Sequence, residues 1–155
     1  MASWRQEALI EAPVAEVWDL LIDPARSPEW SDEVVAVTGA PVHIEKGSTF
    51  DVTSRGPLGI KGTTTFKVEE LEDLHEVKMQ CQLTGFYSRW VLTQAQGGTF
   101  TQVELGIEPL EEKRGVPGRV MAALHTKSFL RHTVETMLDG LRGALGRYRK
   151  GPGRT

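Results

Sequence analysis

A chain of 155 residues with 18 Lys+Arg against 21 Asp+Glu, 39% apolar residues and a formal charge of −3 has room for one compact domain and excludes a second. No apolar run approaches the roughly eighteen residues a bilayer-crossing helix needs, and Met1 to Gln6 lacks the charged-then-apolar start of a secretory signal. A cytoplasmic location is therefore the expectation, and the single cysteine, Cys81, cannot close an internal disulfide.

Residues 3 to 11 alternate as a strand does. Pro13 then takes the first position of a helix, where its missing N–H costs nothing, and Val14, Val17, Trp18, Leu21 and Ile22 recur at helical spacing. Asp23 before Pro24 closes that helix, and Ser27-Pro28 repeats the cap-then-proline signal for a second short turn ending near Trp30. Six further strands are predicted at about 33 to 39, 48 to 55, 60 to 71, 75 to 83, 86 to 95 and 99 to 108, spaced as an antiparallel meander. Gly56-Pro57-Leu58-Gly59 is turn chemistry, and Gly97-Gly98 reads as a two-residue hairpin loop.

The last long segment, from about Pro117 to Tyr148, reads as one amphipathic helix. Val120, Ala123, Leu124, Leu130, Val134, Met137, Leu138, Leu141 and Leu145 fall within roughly a 140° arc. About thirty helical residues span roughly 45 Å, enough to cover one face of a sheet. Gly140, Gly143 and Gly146 each weaken the helix by about 1 kcal/mol, so either another surface approaches closely there or the end frays. The domain is placed at 1–149, with 150–155 as a disordered tail. In all, this is an α+β chain whose strongly curved antiparallel sheet of about seven strands wraps around a long C-terminal helix, with two short helices after the first strand.

Charge is unevenly divided. Residues 1 to 112 carry 8 basic and 19 acidic side chains, a net of −11, whereas residues 113 to 155 carry 10 and 2, a net of +8. A basic helix lying over an acidic sheet accounts for this, and Arg142, Arg147, Arg149 and Lys150 suit the negative end of the helix dipole. The alternative is a basic surface for an anionic partner, such as an acidic acyl carrier protein. Nucleic acid fits poorly, because the apolar stripe commits one helix face to the core and no aromatic-rich basic strand accompanies it.

The string Ile10, Ala12, Pro13, Val17, Trp18, Leu21, Asp23, Trp30 and Val37, followed by the strand series and closing helix, resembles the START-like (SRPBCC) superfamily of polyketide cyclases/dehydrases and lipid-transfer proteins, with its helix-grip fold. The resemblance covers nearly the whole chain. It implies a deep, largely apolar cavity between sheet and helix, in which different members carry, sense or chemically fold hydrophobic molecules.

Strand parity says which side chains would line such a cavity. The inward sets are Ile60, Gly62, Thr64, Phe66 and Val68; Val77, Met79, Cys81 and Leu83; Phe86, Ser88, Trp90 and Leu92; and Thr101, Val103, Leu105 and Ile107. Ser54 and, from the helix, Leu124 join the candidate ligand-binding residues. A lining that is apolar with isolated hydroxyls suits an uncharged ring-containing or acyl molecule held by one or two hydrogen bonds. The small residues Gly62, Thr64 and Ser88 favour a void over a filled core.

Lys127 and Arg131 interrupt the helix stripe. They either snorkel or meet a ligand's carboxylate or phosphate at the cavity mouth. Aromatase-type members of the superfamily use polar cavity residues, including arginine and tyrosine, which makes Tyr87 and Arg89 the catalytic candidates. Their parity is opposite to that of Trp90, so only a bulge or reversed register brings them inside. His125, His132 and Asp139 recur every seven residues, about 10 Å apart along a helix, too far to share a metal. His43 and His75 have no partner at ligand spacing, and no phosphate loop, serine elbow or carboxylate cluster is present, so neither metal nor cofactor is expected. The leading expectation is a carrier, sensor or accessory protein for a small hydrophobic molecule. Polyketide aromatase/cyclase activity is the first alternative, and an interaction module, suggested by Phe129 on the polar side of the helix, is the second.

Overall fold

The structure, a computed structural model, describes residues 3–55, 59–108 and 127–150, with side chains through 145. Seven strands form one sheet: β1 (Trp4–Ile10), β2 (Val34–Thr38), β3 (Thr49–Arg55), β4 (Lys61–Glu72), β5 (Glu76–Cys81), β6 (Tyr87–Ala95) and β7 (Phe100–Glu108). Their order is β1-β7-β6-β5-β4-β3-β2, every pairing antiparallel, so β2 to β7 are a continuous meander and β1 closes against β7. Register shifts between Val34 and Ala36 and between Val68 and Glu70 mark irregularities of the kind that bends a sheet.

The sheet's outer face is polar and self-satisfied. Thr53 and Thr63 share a hydrogen bond of 2.8 Å, Thr65 donates to Asp51 at 2.7 Å, and Gln102 donates to Glu7 at 2.7 Å. The inner face carries Val77, Trp90, Leu92, Val103 and Leu105, all buried. Thr101, fully buried among them, donates its hydroxyl to the Ala12 carbonyl at 2.7 Å and so fixes the turn out of β1.

Helix α1 (Val14–Leu21) follows Pro13, which sits extended at the cap position with φ −62° and ψ 152°, and buries Val17, Trp18, Leu20 and Leu21. The second turn begins earlier than Ser27-Pro28 suggested. It is a 3₁₀ helix, Pro24–Glu29, preceded by Asp23, with Pro28 inside it. Pro24 already supplies the fixed φ that starts a turn, and the Arg26 guanidinium bonds Glu29 at 2.9 and 3.2 Å across it. The β6–β7 connection is also longer than a two-residue hairpin. Pairing ends at Ala95 opposite Phe100, and Gln96, Gly97 and Gly98 all have positive φ.

Helix α2 (Lys127–Lys150) buries Leu130, Val134, Leu138, Leu141 and Leu145 in a single stripe. It packs mainly over β1 and β7, at one side of the sheet. Residues 117 to 126, including Val120, Ala123, Leu124 and His125, lie outside the described residues. Gly140 is where another surface approaches: a Cβ there would lie 2.0 Å from the Trp30 carbonyl oxygen. The 3₁₀ segment thus lies directly on the helix, and the inner face of β3 to β6 is left to be roofed by both.

Candidate functional site

The space under that roof forms two adjoining chambers, each about 250 Å³. Either exceeds the roughly 150 Å³ that holds a benzene molecule. They share Phe66, Ser88, Thr133 and Met137 and so lie side by side in the cavity under the helix. The first is walled by the inward side chains of β3, Phe50, Val52 and Ser54, together with Trp30 and Trp90; the second is walled by Cys81, Phe86, Ile107 and Leu130, with Phe129 at its edge.

Aromatic rings set the shape. Trp30 and Trp90 meet edge to face, centroids 5.6 Å apart and planes at 88°, while Phe50 and Phe66, paired across β3 and β4, stack with centroids 6.1 Å apart. Trp30 is held from behind by α2 at Gly140. Its indole N–H is buried with no hydrogen-bond partner among the described residues.

From the helix, Phe129, Thr133 and Met137 recur every fourth residue and form the flank of α2 that faces the cavity, beside the buried stripe. Arg131 stands two residues, about 200° of rotation, from Thr133, so it faces away. Its guanidinium bonds Glu135 at 2.9 Å and lies 5.9 Å from the centre of the Trp4 ring on β1. Lys127 is exposed and is not part of the cavity wall. A second helix cation, Arg142, reaches the Leu9 carbonyl at 3.3 Å, also on β1.

Of the other expected ligand-binding residues, Ser54, Phe66, Met79, Cys81, Phe86, Ser88 and Trp90 line the cavity. Val68 and Leu92 have the inward parity but are wholly buried in the core, and Thr64 is half-buried outside the lining. Leu124 lies outside the described residues. Ile60 and Leu83 are exposed, because β4 begins only at Lys61 and β5 ends at Cys81, so parity does not extend to them. Gly62 is likewise exposed, opposite Ser54 near the end of the β3–β4 ladder.

Arg89 sits on the outer face, paired with Glu76; that hydrogen bond is the main cause of its raised pKa, with burial opposing and Glu76, Glu108 and Glu70 adding attraction. Tyr87 edges the second chamber with part of its residue, yet its ring lies 4.6 Å from the Lys78 ammonium, and Lys78 alternates with the inward Val77 and Met79. No cluster of His, Cys, Asp and Glu suited to a metal occurs among the described residues. His132 and Asp139 are exposed there, and His75 Nδ1 bonds the Leu92 carbonyl oxygen at 3.0 Å.

Sequence reasoning missed Trp30, Glu33, Phe50, Val52, Thr133 and Met137 as wall residues. Parity applied to 48 to 55 would have found Phe50 and Val52 with Ser54. Nothing local marks Glu33, which enters the site because the segment leading into β2 passes the cavity mouth.

The family model for polyketide cyclase / dehydrase and lipid transport matches residues 1–146. No curated protein matches the sequence. Among solved structures, a START superfamily protein from Mycobacterium smegmatis superposes with a TM-score of 0.72 at 16% identity, covering 94% of this chain and 98% of its own. The di-domain ARO/CYC BexL from the BE-7585A biosynthetic pathway gives 0.71 at 15% identity over 97% of this chain, which spans about half (48%) of that protein. An AHSA1-like protein from Aeromonas hydrophila gives 0.67 at 17%, covering 99% and 98%. These likenesses establish the helix-grip fold.

Proposed function

The chain belongs to the polyketide cyclase/dehydrase and lipid transport family, and from that premise we propose that it binds one small hydrophobic molecule, ring-containing or acyl, inside the cavity as a carrier, sensor or accessory protein. The observation that carries this reading is the pair of adjoining chambers that share Ser88 and Thr133, with largely apolar walls and a few isolated hydroxyls. Burial of apolar surface at about 25 cal/mol per Å² supplies the affinity, and the hydroxyls supply orientation. Among the described residues no helix is long and apolar enough to cross a membrane.

Binding is favoured over cyclase chemistry by the placement of Tyr87 and Arg89. A cyclase would use polar groups of this kind to hold and enolise a reactive chain. Here one ring lies under Lys78 and the guanidinium is committed to Glu76, both on the outer face.

Native mass spectrometry of the protein incubated with a mixture of uncharged polycyclic and acyl compounds tests the proposal. One-to-one complexes surviving desolvation are the expected result. A spectrum of bare protein at all ligand concentrations would overturn it.

A further inference from the structure

The cavity wall is selective in its charge. Among its described residues the ionisable ones are Glu33 and Cys81, with Tyr87 at the edge of the second chamber, and no Lys, Arg or His. Of the described helix cations, Arg131 is engaged by Glu135 and Trp4, Arg142 by the Leu9 carbonyl, and Lys127 is exposed outside the wall. A carboxylate or phosphate drawn against these described residues would lose its hydration and find no counter-charge among them, which costs far more than burying a neutral hydroxyl or carbonyl.

What the wall offers instead is neutral hydrogen bonding. The Ser54 and Ser88 hydroxyls, both half-buried and both lining the cavity, have no hydrogen-bond partner among the described residues. A hydroxyl not committed to the protein can exchange water for an oxygen on a bound molecule. Thr133, whose hydroxyl donates to the Phe129 carbonyl at 2.9 Å, keeps lone pairs free to accept.

At the entrance stands Glu33, exposed, with its backbone fixed by a 2.7 Å hydrogen bond from the Arg55 N–H to its carbonyl. Among the described residues that wall the first chamber it is the one that carries a charge. Resting on the binding function proposed above, we infer that the molecule taken by this cavity is uncharged and oxygen-bearing, and that Glu33 excludes free acids at the entrance. Like charges brought together at a site disfavour the wrong ligand without strengthening the right one.

Two fluorescent probes with one skeleton separate this inference from the proposal beneath it. N-phenyl-1-naphthylamine is neutral, and 8-anilinonaphthalene-1-sulfonate is the same framework bearing an anion. Energy transfer from tryptophan reports their entry, because Trp30 and Trp90 line the first chamber. The wild type is expected to bind the neutral probe at least about tenfold more tightly. Glu33→Gln is expected to narrow that ratio about threefold or more by gaining affinity for the sulfonate alone. A ratio unchanged in Glu33→Gln, or tighter binding of the sulfonate by the wild type, overturns the inference while leaving cavity binding in place. Entry of neither probe removes both.

Discussion

The Trp30 carbonyl oxygen lies where the side chain of residue 140 would begin: a Cβ on Gly140 would be only 2.0 Å from it. One side of the Trp30 residue thus meets the closing helix, while its ring meets Trp90 and walls the cavity. The contact couples helix position to the shape of the binding site.

Gly140→Ala is therefore expected to run against helix propensity. Alanine should stabilise a mid-helix position by about 1 kcal/mol, yet here it must drive α2 from the 3₁₀ segment at a typical overpacking cost of about 1–3 kcal/mol, and a net loss of up to about 2 kcal/mol is expected. Urea unfolding measures it. Near-UV circular dichroism should change as well, because the Trp30–Trp90 geometry moves. A stabilised variant would show that the segment yields freely.

Thr101→Val tests the turn that carries β1 into α1. The substitution keeps the shape but leaves the buried Ala12 carbonyl without its 2.7 Å donor, at an expected cost of about 1–3 kcal/mol in chemical denaturation. A loss under about 0.5 kcal/mol would mean that the carbonyl finds another partner.

The cations outside the cavity should be silent in binding. Arg131→Met and Arg89→Met each break an exposed ion pair worth up to about 1 kcal/mol, so small losses of stability are expected. Affinity for N-phenyl-1-naphthylamine should stay within about twofold of the wild type. A tenfold loss in either would place that cation at the ligand.

Much of this architecture was legible because it depends on local periodicity. Alternation placed all seven strands to within a few residues, and the inward set Phe86, Ser88 and Trp90 follows from the period of two alone. Parity failed at Ile60 and Leu83, where a ladder had not yet begun or had already ended, which alternation by itself does not mark. The glycines of α2 raised the right question, but the answer lies at Trp30, 110 residues earlier in the chain. Phe129 reads as polar-side because the buried stripe is the face of the helix that periodicity marks. The flank through Phe129, Thr133 and Met137 acquires its role only when β3 to β6 curve beneath it. Glu33 is the extreme case, since it becomes a cavity residue through the path of its backbone.

The most direct measurement of the cavity's role is a titration of N-phenyl-1-naphthylamine against the wild type and Ser88→Phe, with thermal unfolding of both. Ser88 lines both chambers, so a phenyl ring there takes up space at their common wall. Placed in a real void, it should lower affinity at least about tenfold while leaving the melting temperature unchanged or higher. Unaltered affinity, or a variant destabilised by the 1–3 kcal/mol typical of overpacking a solid core, would contradict the account.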